Sequence, residues 1–133
     1  MKIGSRRLTT QYRFKIEFVS RKNGNCPSKD FYDSLDIKVK AKFIAIGKGI
    51  NKSQDGILRD TDKHEKLKGK HAKYLWEMKV YYDKFWYRIF CFRDNSDWWW
   101  THGFKKKGNS TPITEIAKAN DIRKEYYDIK IKA

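Results

Sequence analysis

The sequence predicts an α+β domain: an antiparallel β-sheet of meander type with an N-terminal helix or helices and a C-terminal helix packed on it. Three observations point there. Between Tyr74 and Phe104, three aromatic segments of strand length are separated by short polar turns, Asp83-Lys84 and Arg93-Asp94-Asn95-Ser96. Before them, Phe31, Leu35, Val39, Phe43, Ile46 and Ile50 recur at spacings of three and four, the period of one helix face. After them, Thr111-Pro112 opens a second such stripe through Ile113, Ile116, Ala119, Ile122 and Tyr126.

Each element has a local reason. Met1 to Gln11 is basic and polar and reads as a flexible lead-in. Tyr12 to Val19 alternates strictly, with Tyr12, Phe14, Ile16 and Phe18 on one side, as a half-buried strand does. Asn23-Gly24-Asn25-Cys26-Pro27 breaks it, and Ser28 is a plausible N-cap with Asp30 in the first turn. The helix that follows should end near Gly47 or Gly49. Asn51 to Lys63 is a short helix or loop, and His64 to Lys68 a short strand ahead of the basic turn Gly69 to Lys73. Tyr74–Tyr81, Phe85–Phe92 and Asp97–Phe104 are the three meander strands. Lys105 to Ser110 is a basic loop, and the last helix leads to a tail, residues 128–133, that is either a short strand or disordered. The arrangement suggests helices on one side of the sheet.

With 133 residues the chain fits a single domain, residues 1–133, and is long enough to bury a core without staples. Thirty-one basic against 16 acidic residues give a formal charge of +15, a self-repelling surplus that an anionic partner relieves. Nucleic acid is the first candidate, an acidic protein the second, an anionic membrane surface the third. No apolar run is long enough to span a membrane, and the N-terminus lacks the apolar middle of a signal peptide. Two cysteines, Cys26 and Cys91, form neither a disulfide framework nor a zinc spacing, so a reduced, cytoplasmic protein without metal or cofactor is expected.

From Lys66 to Pro112, cations are woven among aromatic residues. Aromatic faces stack on bases and cations hold phosphates, so the mixture suits single-stranded RNA; the alternative is a β-core with a solvated basic edge.

Four strings, in their order and spacing, carry a resemblance. They are Lys66-Leu67, then Leu75-Trp76-Glu77-Met78-Lys79, then Tyr87-Arg88-Ile89-Phe90, then His102-Gly103-Phe104-Lys105-Lys106-Lys107 followed by Thr111-Pro112. With Glu115-Ile116 and Ala119 downstream, the chain resembles the RelE/ParE superfamily of bacterial toxins, on the HigB-like, phage-derived branch of type II toxin–antitoxin systems. The resemblance implies a RelE-like fold and cleavage of mRNA, commonly on the ribosome, by an endoribonuclease. It also implies a small antitoxin partner, often a helix-turn-helix protein. Two positions depart from the pattern: Lys79 stands where the strand motif carries arginine, and Gly108 where the loop begins with threonine. Lysine keeps the charge but lacks the planar fork that grips phosphate in two places.

Under this resemblance Arg88, Lys79, Lys66 and Lys106 are the catalytic candidates. Arg88 would clamp the scissile phosphate, or else form a structural ion pair with Glu77, which would orient it. Lys79 is either a phosphate ligand or a solvated strand lysine. Lys66 is a candidate general base, since a partly buried lysine among cations loses basicity. Lys68, Lys105 and Lys107 are candidate RNA contacts, the last two alternatively part of a solvated loop. His102 is a possible acid or base, or a packing residue. Trp98, Trp99 and Trp100 cannot share one strand face, so at least one packs inside; Trp98 and Trp100 are the candidates to stack on a base. A non-catalytic nucleic-acid-binding module, and a toxin aimed at a protein such as gyrase, remain alternative readings.

Overall fold

A computed structural model describes residues 13–108 and 110–132. The lead-in Met1–Gln11 and Tyr12 lie outside the described residues. The chain runs β1 (Ile16–Phe18), α1 (Pro27–Asp33), α2 (Ile37–Lys52), β2 (His64–Lys66), a 3-10 turn (Lys70–Ala72), β3 (Trp76–Tyr82), β4 (Phe85–Asp94), β5 (Asp97–Lys106) and α3 (Ile113–Lys132). The fold is α+β, as the patterning predicts.

The meander is the scaffold. β3, β4 and β5 pair antiparallel in sequence order. Each hairpin turns on two residues with positive φ, Asp83-Lys84 and Asn95-Ser96, the geometry whose twist suits flanking strands. β2 adds antiparallel outside β3, and β1 pairs parallel to β5 at the far edge, so the order is β1-β5-β4-β3-β2. The sheet is therefore mixed, its single parallel pair formed by the first strand. The shift in register between Phe90 and Cys91 leaves Thr101 as a bulge in β5, its hydroxyl donating to the Phe90 carbonyl at 3.1 Å.

The helices cover both faces of the sheet, not one. α1 and α2 press Tyr32, Val39, Phe43, Ile46 and Ile50 onto Ile16, Phe18, Met78, Ile89, Trp98 and Trp100. α3 lays Ala119, Ile122 and Tyr126 against Val19, Leu75, Phe90, Phe92 and Trp99 on the other. Strand alternation explains the division, since Ile89 and Cys91 face one way and Arg88, Phe90 and Phe92 the other. It also explains why β1 is buried on both sides instead of half-buried, with Ile16 and Phe18 on one side and Glu17 on the other all buried.

Three boundaries differ from expectation. The first helix is two, broken at residues 34–36, where the Asp36 carboxylate accepts the Lys38 N–H at 2.7 Å and caps α2. Neither Gly47 nor Gly49 stops α2, which continues to Lys52. Gly49 serves close packing: a Cβ there would meet Leu58 Cδ1 at 3.0 Å. The tail expected as strand or disorder continues α3 through Lys132.

Candidate functional site

The face of the sheet that receives α3 is apolar at one end and charged at the other. Register decides the charged end: Lys79 lies opposite Arg88, Glu77 opposite Phe90, and Glu65 of β2 opposite Glu77. Side chains directly opposite share a face. Arg88 Nε stands 3.2 Å from Glu77 Oε1, at ion-pair distance though out of line for a hydrogen bond. Lys79 Nζ donates to Glu65 Oε1 at 3.1 Å and lies 3.9 Å from Glu77 Oε2, with the Trp86 ring 5.5 Å away. Arg88, Glu77 and Lys79 are all buried. Burial pushes the Glu77 carboxyl pKa up, and the neighbouring Arg88 and Lys79 charges oppose that rise.

These groups open into a cleft of about 250 Å³ lined by Glu65, Lys66, Leu67, Lys68, Glu77, Lys79, Arg88 and Thr111. Lys66 is held at its wall, Nζ donating to the Leu67 carbonyl at 3.0 Å and the Ala72 carbonyl at 2.7 Å. Partial burial lowers its pKa. Arg88 Nη1 donates to the Ser110 carbonyl at 2.9 Å and approaches Thr111 Oγ1 at 3.4 Å. Lys106 Nζ reaches the same Ser110 carbonyl at 3.1 Å and the Ser110 hydroxyl at 2.8 Å. One oxygen thus receives donors from two cations, a position that favours negative charge.

Arg88, Lys79, Lys66, Lys68, Glu77 and Lys106 are therefore brought together. The other sequence candidates lie elsewhere. Lys105 alternates to the opposite face, its Nζ 4.1 Å from the Phe85 ring centroid, and Lys107 Nζ lies 5.9 Å from the same ring. Trp98 and Trp100 are fully buried and offer no face to a base; their indole nitrogens donate to the Gly56 carbonyl at 2.9 Å and Met78 Sδ at 3.2 Å. His102 is buried against Phe90 and Phe104, its ring nitrogens 3.1 Å from Thr101 Oγ1 and 3.1 Å from Glu115 Oε1. Burial pulls its pKa down to about 4, and the Glu115 charge opposes that fall. Among the described residues no group of three or more His, Cys, Asp and Glu side chains is placed to hold a metal ion. Nor is any of their helices long and apolar enough to cross a membrane.

The family model of phage-derived Gp49-like proteins (DUF891) matches residues 30–124, from α1 well into α3, and takes in every residue of the cleft. The chain belongs to this family. Gp49-like proteins fall within the RelE/ParE-like toxin superfamily and are toxins of toxin–antitoxin systems, so a cognate antitoxin is implied as a partner. No curated protein matches the chain.

Three cleft residues of this Gp49-like chain escape sequence reasoning. Glu65 neutralises Lys79, and Ser110 and Thr111 cap Arg88. Glu65 sits in the short segment read as a strand, and pairing that strand antiparallel to β3 would have set it beside Glu77. Ser110 contributes a backbone carbonyl, which no side-chain pattern announces. Lys79 also lines a larger groove, about 730 Å³, between α2 and the outer edge of β3, floored by Ile46, Leu58 and Val80.

Proposed function

We propose that this Gp49-like toxin is a HigB-like mRNA endonuclease of a type II toxin–antitoxin system. It acts in the cytoplasm on ribosome-associated mRNA, without metal or cofactor, and inhibits translation until a small helix-turn-helix antitoxin binds. The observation that carries this reading is the meeting of Lys66, Lys79, Arg88 and Lys106 around one polar cleft in a member of a toxin family.

RNA supplies its own nucleophile. The 2′-hydroxyl oxygen attacks the adjacent phosphorus, the P–O5′ bond breaks, and the products are a cyclic phosphate and a 5′-hydroxyl. Lys66 is the base. Its lowered pKa increases the neutral fraction, and a neutral amine keeps two N–H bonds, enough for the Leu67 and Ala72 carbonyls it already serves. The remaining lone pair takes the 2′-proton. Arg88 and Lys79 stabilise the added charge on the phosphoryl oxygens, the usual task of fixed cations at a developing anion. The Ser110 carbonyl marks where such an oxygen is received, and RNA entering the site displaces it from Arg88 and Lys106. Lys106 then protonates the leaving 5′-oxygen. Glu77 holds Arg88, and Glu65 holds Lys79. Lys68 contacts the flanking backbone at the cleft wall.

Expression of the chain alone should arrest growth with fragmentation of mRNA, and co-expression of the antitoxin encoded beside it should relieve both. Cutting should persist in excess chelator; its loss would assign a metal to the reaction. RNA binding without cut products would make the chain a binding module. Intact mRNA with arrested DNA replication would point to a protein target such as gyrase.

A further inference from the structure

The loop that walls the cleft has a second side. Lys66 and Lys68 face the cleft, while Lys70, His71, Lys73 and Tyr74 border a separate concavity of about 460 Å³ against α3. Lys68 and Lys70 are two residues apart, so their Cα atoms are within about 7 Å and the two hollows share a wall. The loop is rigid. Leu67 N–H donates to the Leu75 carbonyl at 3.0 Å, Ala72 N–H to Gly69 at 3.1 Å and Leu75 N–H to Ala72 at 3.0 Å, while Leu67, Ala72 and Leu75 are buried in the α3 core. Asn120 Nδ2 ties the loop to α3 through the His71 carbonyl at 2.7 Å.

The hollow is built from aromatic faces and cations. Arg123 of α3 lies 4.1 Å from the Tyr74 centroid and 4.9 Å from that of Tyr127, and its buried Nε has no hydrogen-bond partner. Tyr74 is 50% exposed, with Lys73 Nζ 5.2 Å from its centroid. Lys70, Lys73 and Lys124 are exposed. The acid at this wall, Asp128, is already paired with Lys22 at 3.0 Å. A half-exposed tyrosine backed by a guanidinium and flanked by lysines fits a stacked base with phosphates on either side.

We propose that the hollow between the 70–74 loop and α3 is a second, non-cleaving contact for single-stranded RNA, taking nucleotides that flank those in the cleft. It rests on the reading of the cleft as an RNA site. An RNA strand leaving the cleft passes over the shared wall, stacks one base on Tyr74 and sets its phosphates against Lys73 and Lys124. An acidic protein segment would use the lysines but gain little from the stacking face.

The test uses the full chain and labelled oligonucleotides methylated at every 2′-oxygen, which lack the attacking hydroxyl, in lengths of about 12 and about 4 nucleotides. The triple variant Tyr74→Ala, Lys73→Glu, Lys124→Glu alters only exposed side chains, so its fold should survive, as circular dichroism will show. Its affinity for the longer RNA should fall about tenfold or more, with a salt slope shallower by ~1.4 for two lost phosphate contacts. Its affinity for the shorter RNA should be unchanged. Unaltered affinity and salt slope for the longer RNA would overturn the second contact and leave the cleft reading standing. Retained RNA affinity with lost rescue by the antitoxin would overturn it in favour of a protein surface. Failure of the unmodified chain to bind either RNA would remove the cleft reading and this one with it.

Discussion

Arg88 is both the centre of the candidate site and part of its support. Its guanidinium and the Glu77 carboxylate are an ion pair in which both side chains are nearly inaccessible. Removing Arg88 leaves the buried Glu77 carboxylate with only the more distant Lys79, 3.9 Å away, to offset its charge. Arg88→Ala should therefore cost about 3 kcal/mol of stability as well as activity. The double variant Arg88→Ala, Glu77→Gln should regain much of that stability without regaining RNA cleavage. Urea titrations beside growth-arrest assays separate the two effects; a double variant that still arrests growth would remove Arg88 from catalysis. His64 carries a second residue-scale prediction. Its Nδ1 accepts the Leu58 N–H at 3.1 Å, and its ring lies between Trp76 and Trp98. Burial, then the Arg93 charge, lowers its pKa from 6.5 to about 4. The unfolded chain thus binds the extra proton first. The stability this histidine contributes is complete above pH 6.5 and falls away as pH drops towards about 4, by roughly 3 kcal/mol. His64→Gln, which can still accept from Leu58, should flatten that acid limb in unfolding free energies measured across pH. An unchanged limb would assign it to other groups. The place of Arg88 at the candidate cleft was legible because a charge on an aromatic strand needs a partner. That Trp98 and Trp100 are both buried was not, because the sequence does not reveal that α1, α2 and α3 cover both faces.

At the scale of elements, the hairpins were the most legible features, since short polar turns between alternating aromatic strands leave few registers; only the second turn is tighter than the four residues read for it, because β4 runs on through Asp94. The break between α1 and α2 was hidden because Phe31 and Leu35 pack against the same core as the α2 stripe, so periodicity continues across a kink. Gly103 is the element-scale position with the clearest consequence. It faces Phe31 where α1 crosses β5, and a Cβ there would come within 2.2 Å of the Phe31 ring. Gly103→Ala should lower stability by about 1–3 kcal/mol through overpacking. Phe31→Leu in the same chain should recover part of that loss. A denaturation midpoint unmoved by Gly103→Ala would contradict this close packing of α1 on β5.

For the molecule as a whole, charge dominates. With a formal charge of +15 and cations concentrated at the cleft and along the 66–74 loop, RNA affinity should fall steeply with salt. Three or more neutralised phosphates give a log–log slope of about −2 or steeper. A flat response in binding titrations across salt would reject backbone contact as the main attraction. The parallel pairing of β1 with β5 has a different reach. Lys15 N–H donates to Asp97 Oδ1 at 2.8 Å across 82 positions of sequence, and Trp98 N–H returns to the Lys15 carbonyl at 2.8 Å. During translation the first strand must wait for the last before the sheet can close. A nascent chain that has emerged only as far as Arg88 lacks β5 and α3, so β1 has no strand to pair with and neither Lys106 nor Ser110 is yet exposed to meet Arg88. The candidate cleft is thus completed only after β5 and the Ser110 segment have emerged and joined the strands made before them.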